Sequence, residues 1–149
     1  MHSPLSDLLG NRVLWAAVAG WLVAQGIKVL LALIATHKFE PSYLFASGGM
    51  PSSHSALVMG LATGVARVDG LGSVYFALAA VFAGVVMYDA AGVRRAVSKQ
   101  ARILNLMMED FFHERGLDVH RLGELIGHTP VEVFAGAALG ILLGFLFTA

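Results

Sequence analysis

Apolar runs of bilayer length alternate with short polar breaks along this chain. The first run occupies residues 13–35 and reads VLWAAVAGWLVAQGIKVLLALIA. As a helix it is roughly 35 Å long, enough to cross a membrane with some tilt. Gln25 and Lys28 interrupt it. A second run, 52–68, is short, and works as a span only if PSSHSA forms its first turn. A third covers 71–91, with Tyr75 and Phe76 near its start, and the Asp69-Gly70 pair before it is a tight-turn signal. A fourth runs over 130–149. Between the third and fourth the character changes. Val97, Ala101, Leu104, Met108 and Phe111 recur at helical spacing on one face, while Arg95, Lys99, Arg102, Glu109 and His113 fall elsewhere. That pattern predicts an amphipathic helix lying in the interface. Gly116 breaks it, and Val119, Leu122, Leu125 and Ile126 predict a second short helix over 118–126. The expected fold is all-α: one transmembrane domain over 1–149, with four spans and an interfacial segment over 94–126.

Composition agrees. Of 149 residues, 57% are hydrophobic and 13% charged, with mean hydropathy +0.73; a soluble domain carries about 25% charge. Net charge is zero, so there is no basic footprint for nucleic acid. The absence of cysteine excludes disulfides and thiolate metal sites. The first run is too long for a signal peptide, its start is not basic, and further apolar runs follow. Basic residues set the orientation. Arg94, Arg95, Lys99, Arg102, Arg115 and Arg121 lie in the charged segment and Lys38 in the loop after the first span, against Arg12 and Arg67 on the other side. The positive-inside rule then places the charged segment in the cytoplasm and both termini outside, in an inner or plasma membrane.

This topology gathers the unusual residues at one face. The stretch GGMPSSHSA, 48–56, opens the second span there, Asp89, Arg94 and Arg95 close the third, and His128-Thr129-Pro130-Val131-Glu132 opens the fourth. Lys28 lies about two helical turns inside the first span from the same face. A helix N-terminus offers unpaired N–H groups and partial positive charge to an anion. Ser52, Ser53 and Ser55 add hydroxyls, Gly48 and Gly49 allow close backbone approach, and Pro51 suits a first helical turn. With Lys28, Arg94 and Arg95 added, the set can hold a phosphate. His54 and His128 are then candidates for proton transfer or nucleophilic attack. Glu132, four residues after His128, can orient its imidazole.

PSSH at 51–54 followed by GHTPVEV at 127–133 resembles the type 2 phosphatidic acid phosphatase superfamily, which includes vanadium-dependent haloperoxidases. YDAAGVRRAVSKQARILN at 88–105 is similar to its divergent branch of small bacterial and plant membrane proteins, and the similarity runs from about Asn11 to Gly144. The resemblance implies a metal-independent phosphatase without cofactors, acting on lipid or isoprenoid phosphate monoesters. It implies that His128 attacks phosphorus, that Glu132 stands where the superfamily has aspartate, that His54 protonates the leaving group, and that Lys28 binds phosphate. Ser53 stands where the superfamily has glycine, Lys28 has no Arg-Pro after it, and Leu122 occupies the place of a motif arginine, for which Arg94 and Arg95 are the substitutes at hand. Asp89 and Gly49 are supporting candidates.

Other readings of the same residues stay open. Thr129 to Glu132 fits a capping box, and Ser52 or Ser53 fits a plain helix cap. Lys28 can snorkel, Arg94 and Arg95 can bind lipid headgroups, and His54 and His128 can be interfacial. Asp89 can serve the site or pair with an arginine. His37, His113 and His120 are expected at the surface. Small-residue stripes, Gly60 with Gly64 and Gly136 with Gly140 and Gly144, predict close helix packing and favour a homodimer. Three functions follow: a phosphatase of lipid phosphates, a non-catalytic binder or carrier of such lipids, and a structural membrane oligomer.

Overall fold

The structure, a computed structural model, describes residues 3–37, 49–113 and 128–149. These form a short α1 (Pro4–Leu9), α2 (Arg12–Thr36), α3 (Ser53–Val68), α4 (Val74–Tyr88), a π-helical segment (Asp89–Val93), α5 (Arg94–His113) and α6 (Pro130–Phe147). No strand occurs among the described residues. The helices α2, α3, α4 and α6 each open on a polar cap. Asn11 Oδ1 accepts from Leu14 N–H at 3.0 Å to open α2, and Ser73 Oγ accepts from Phe76 N–H at 3.1 Å to open α4. Gly70, with φ +85°, makes the turn between α3 and α4 at the position the Asp69-Gly70 pair marks.

Three helices are long and apolar enough to cross a membrane: Arg12–Thr36, Val74–Gly92 and Pro130–Phe147. Their outer faces carry Leu22, Leu30, Phe82, Val85, Phe134 and Leu146, all exposed. A surface this apolar belongs in lipid, and the chain is an integral membrane protein. The second expected span differs. α3 has 16 residues, about 24 Å of helix against the ~30 Å hydrocarbon core. Ser52 is its cap, so Pro51 precedes the helix instead of entering its first turn. A physical reason for its shortness lies in its position: α3 is the central element, packed on α2, α4 and α6. A helix enclosed by others satisfies its surroundings through protein and need not match the bilayer thickness.

The enclosure depends on small residues. A side chain at Gly20 of α2 would strike the Ala56 carbonyl at 2.6 Å, and one at Gly60 would strike the Ala16 carbonyl at 2.9 Å. On the other side Gly136 meets the Ser52 carbonyl, Gly140 the Ala56 carbonyl, and Gly144 the Thr63 side chain. Gly64 lies against Val13. Both glycine stripes are thus used inside one chain, α3 against α2 and α6 against α3, and neither supplies an argument for a dimer. α4 joins through Ala79 and Ala83 packed with Val58, Ala62 and Val65. At the far end Arg12 Nη1 donates to the Ala149 carbonyl at 3.1 Å and the Arg67 guanidinium lies 5.2 Å from the Phe145 ring centre. The start of α2 and the end of α6 therefore share one end of the bundle, and His54 and His128 the other.

α5 follows the expected amphipathic segment as a helix through His113. The second short helix over 118–126, with Gly116, Arg115, His120, Arg121 and Leu122, lies outside the described residues, as do Lys38 and Gly48.

The glycine contacts predict an asymmetry between two single-methyl substitutions. Gly140→Ala puts Cβ into backbone atoms of Ala56 and Gly60, which cannot retreat as a side chain end can, and should cost about 1–3 kcal/mol. Gly84→Ala on α4 meets nothing within 4 Å and should be neutral or stabilising by about 0.5–1 kcal/mol. Thermal denaturation of the two purified proteins in the same detergent checks the order.

Candidate functional site

The two motifs meet where α3 and α6 begin. Ser52 N–H donates to the Glu132 carbonyl at 2.9 Å, a backbone bond that joins PSSH directly to the first turn of α6. Gly136, one turn further on, leaves room for the Ser52 carbonyl. Ser52 is fully buried and caps α3: its Oγ accepts from Ser55 N–H at 3.3 Å and from the Ser55 hydroxyl at 3.1 Å. His54 follows in the first turn, and its ring lies 6.5 Å from that of His128, centre to centre, edge to face.

His128 is fully buried although it precedes α6. Its backbone N–H donates to the Ala90 carbonyl at 3.2 Å, which ties it to the π-helical segment that Asp89 opens. Its Nδ1 lies 3.0 Å from Glu132 Oε2. The same oxygen accepts from Thr129 N–H at 3.0 Å, while Thr129 Oγ1 accepts from Glu132 N–H at 3.4 Å. Glu132 therefore completes a capping box and holds the imidazole at once. A carboxylate at Nδ1 favours a proton there, which leaves the lone pair of the neutral ring on Nε2.

Lys28 points inward. It is buried, and its Nζ donates to Ser53 Oγ at 3.1 Å and to Gln25 Oε1 at 3.3 Å, so it does not snorkel. The Glu132 carboxylate lies within its electrostatic reach. Gly49, with φ +88°, passes over the lysine stem, where an added Cβ would sit 3.9 Å from Cδ. Thr36 ends α2 8 residues beyond Lys28, so the lysine Cα lies about 12 Å below the end of its own helix. Lys28, Gly49, Ser52, Ser53, His54, His128 and Glu132 thus belong to one polar cluster recessed into the bundle, with Asp89 at the start of the neighbouring segment. Arg94 and Arg95 begin α5, but their side chains lie outside what the structure describes, as does that of His113. His37 is exposed, as expected.

Sequence reasoning left Gln25 and the Ala90 carbonyl out of the site and placed Ser55 in it without its partner. Gln25 was legible as a polar residue three positions before Lys28, hence on the same helix face. Ser55 was legible as a hydroxyl but not as the partner of Ser52. The Ala90 carbonyl had no signal, because the π-helical geometry that presents it follows from tertiary packing. Among the described residues no group of three His, Cys, Asp or Glu side chains gathers as a metal site.

A family model described as "Divergent PAP2 family" matches residues 9–143, and the chain belongs to that family. It is 43% identical to "Uncharacterized membrane protein YuiD" of Bacillus subtilis (strain 168), over 92% of this chain and 94% of the relative. No solved structure matches the chain.

The double duty of Glu132 separates geometry from charge. Glu132→Gln keeps an oxygen for both Thr129 N–H and His128 Nδ1–H but loses the charge that strengthens both bonds, and should cost about 0.5–1.5 kcal/mol. Glu132→Ala removes the acceptor from a buried donor and should cost about 1–3 kcal/mol. Denaturation midpoints of the two variants in one detergent provide the comparison.

Proposed function

We propose that this member of the divergent PAP2 family is a membrane phosphatase that hydrolyses a lipid or isoprenoid phosphate monoester through a phosphohistidine. The observation that carries the reading is His128: a fully buried imidazole whose Nδ1 lies 3.0 Å from a carboxylate, beside a second histidine and a buried lysine. That is the arrangement of an activated nucleophile with an acid at hand and a cation for the phosphoryl group.

In this mechanism the phosphate enters between the start of α3 and His128. Lys28 and the N–H groups of the first turn of α3 hold its non-bridging oxygens, with Arg94 and Arg95 as further cations at the rim. His128 Nε2 gives its electron pair to phosphorus while the bond from phosphorus to the ester oxygen breaks. His54, entering as imidazolium, gives its proton to that oxygen, and the lipid alcohol leaves. Glu132 accepts the Nδ1 hydrogen bond and stabilises the positive charge that grows on His128. Water then attacks phosphorus while His54 takes its proton, the bond from phosphorus to Nε2 breaks with its electron pair returning to His128, and inorganic phosphate leaves. No metal takes part. α2, α3, α4 and α6 serve as the four membrane-embedded helices, α5 lies in the cytoplasmic interface, and the apolar tail of the substrate stays in the bilayer while its headgroup reaches the recessed cluster.

Purified protein offered a panel of lipid phosphates, in chelator, should release phosphate from at least one. His54→Ala and His128→Ala should each lower the rate by about 100-fold or more, with His37→Ala unchanged. Full turnover by His128→Ala would refute the mechanism. Binding of a lipid phosphate with no release by the parent would instead support a carrier built on the same site.

Sidedness has its own test, since the chain has no cysteine. Cysteines at the exposed positions Met50 and Met107 should escape a membrane-impermeant thiol reagent on intact cells, while one at Gly70 should react. The reverse pattern would place the site on the outer face.

A further inference from the structure

Gln25 is 7% exposed, three residues before Lys28 on the same face of α2. A carboxamide inside an apolar span is costly unless hydrogen-bonded, so its placement calls for a reason. The Gln25 Oε1 atom accepts from Lys28 Nζ at 3.3 Å, and Ser53 Oγ of α3 accepts from the same nitrogen at 3.1 Å. A lysine ammonium has three N–H donors on a long, freely rotating stem. Two acceptors, one from each of two helices, set the rotation of that head and hence the direction of its third N–H. Neutral acceptors do this without cancelling the charge, whereas a carboxylate at position 25 would neutralise the ammonium at close range in a poorly screened interior. Ser53 and His54 open the first turn of α3, so the fixed head lies at the same helix start as the histidine.

We propose that Gln25 is a positioning residue: with Ser53 it orients the Lys28 ammonium so that its third N–H meets a non-bridging oxygen of a phosphoryl group held at His54 and His128. This rests on the anion-site reading given under the proposed function. It also gives a second meaning to the serine at 53, where the wider superfamily has glycine: its hydroxyl is an acceptor for the lysine, occupied before any phosphate arrives.

The test measures orthovanadate affinity of the full chain in nanodiscs, for the parent, Gln25→Leu, Lys28→Met and the double variant. The parent should bind; Lys28→Met and Gln25→Leu should each weaken binding, the latter by about 10-fold, as for a lost hydrogen bond to a charged group. Because Gln25 acts through Lys28, Gln25→Leu should add nothing in the Lys28→Met background, a non-additivity that a merely structural role would not produce. Losses that multiply, or a Gln25→Leu protein that binds like the parent while Lys28→Met does not, would overturn the role of Gln25 and leave the anion site standing. A parent that does not bind orthovanadate would overturn both. Should Gln25→Leu fail to fold, Gln25→Glu carries the test. It keeps volume and acceptor but cancels the charge, so it should weaken binding about 10-fold or more; unchanged affinity would overturn the proposal.

Discussion

Backbones of three helices meet at Ala56, and the polar cluster exists because they do. The Ala56 carbonyl faces Gly20 of α2 on one side and Gly140 of α6 on the other, with no Cβ to hold either helix away. In lipid, helices gain nothing from hiding apolar surface, so association depends on close packing and on hydrogen bonds between helices. The same approach brings Ser52 N–H to the Glu132 carbonyl and Lys28 Nζ to Ser53 Oγ. Widening any of these crossings by a methyl group would open lipid to an ammonium that has no place in it. Packing here is therefore the condition under which the charges can be kept.

Those charges are arranged economically. Glu132 is at once helix cap and partner of His128, so one carboxylate balances a helix dipole and orients an imidazole. Ser52 caps α3 while its backbone binds α6. When structural and chemical duties share atoms, the plain reading of a residue as a cap and the chemical reading are not alternatives. The chain belongs to the divergent PAP2 family, and at one departure from the superfamily motifs, Ser53, the hydroxyl accepts from Lys28 Nζ at 3.1 Å, with Gln25 Oε1 as the second acceptor at 3.3 Å.

The apolar runs and the turn signals made α2, α4 and α6 legible, and the chemistry of PSSH and GHTPVE made the histidine pair legible, because spacing alone puts Glu132 one turn from His128. A place for Lys28 in the polar set was legible; what holds its ammonium there, Gln25 and a serine from another helix, was not. Nor was the direction of the glycine stripes. Periodicity shows that a helix face is smooth but not whether the neighbour lies in the same chain, and here Gly136, Gly140 and Gly144 all face α3. The short α3 was visible as a short run, but its enclosure on several sides, which makes shortness tolerable, is a property of the assembled bundle.

In the proposed mechanism the cluster forms a single phosphoryl site with His128 as nucleophile. The most direct measurement is an experimental structure of the purified protein in lipid with orthovanadate, whose vanadium adopts the geometry of phosphorus under attack. Vanadium should be bonded to His128 Nε2, with its oxygens facing Lys28 and the first turn of α3, and with His54 at the apical oxygen opposite. Vanadate bound away from His128, or held with no bond to that nitrogen and His54 turned from it, would contradict the claim.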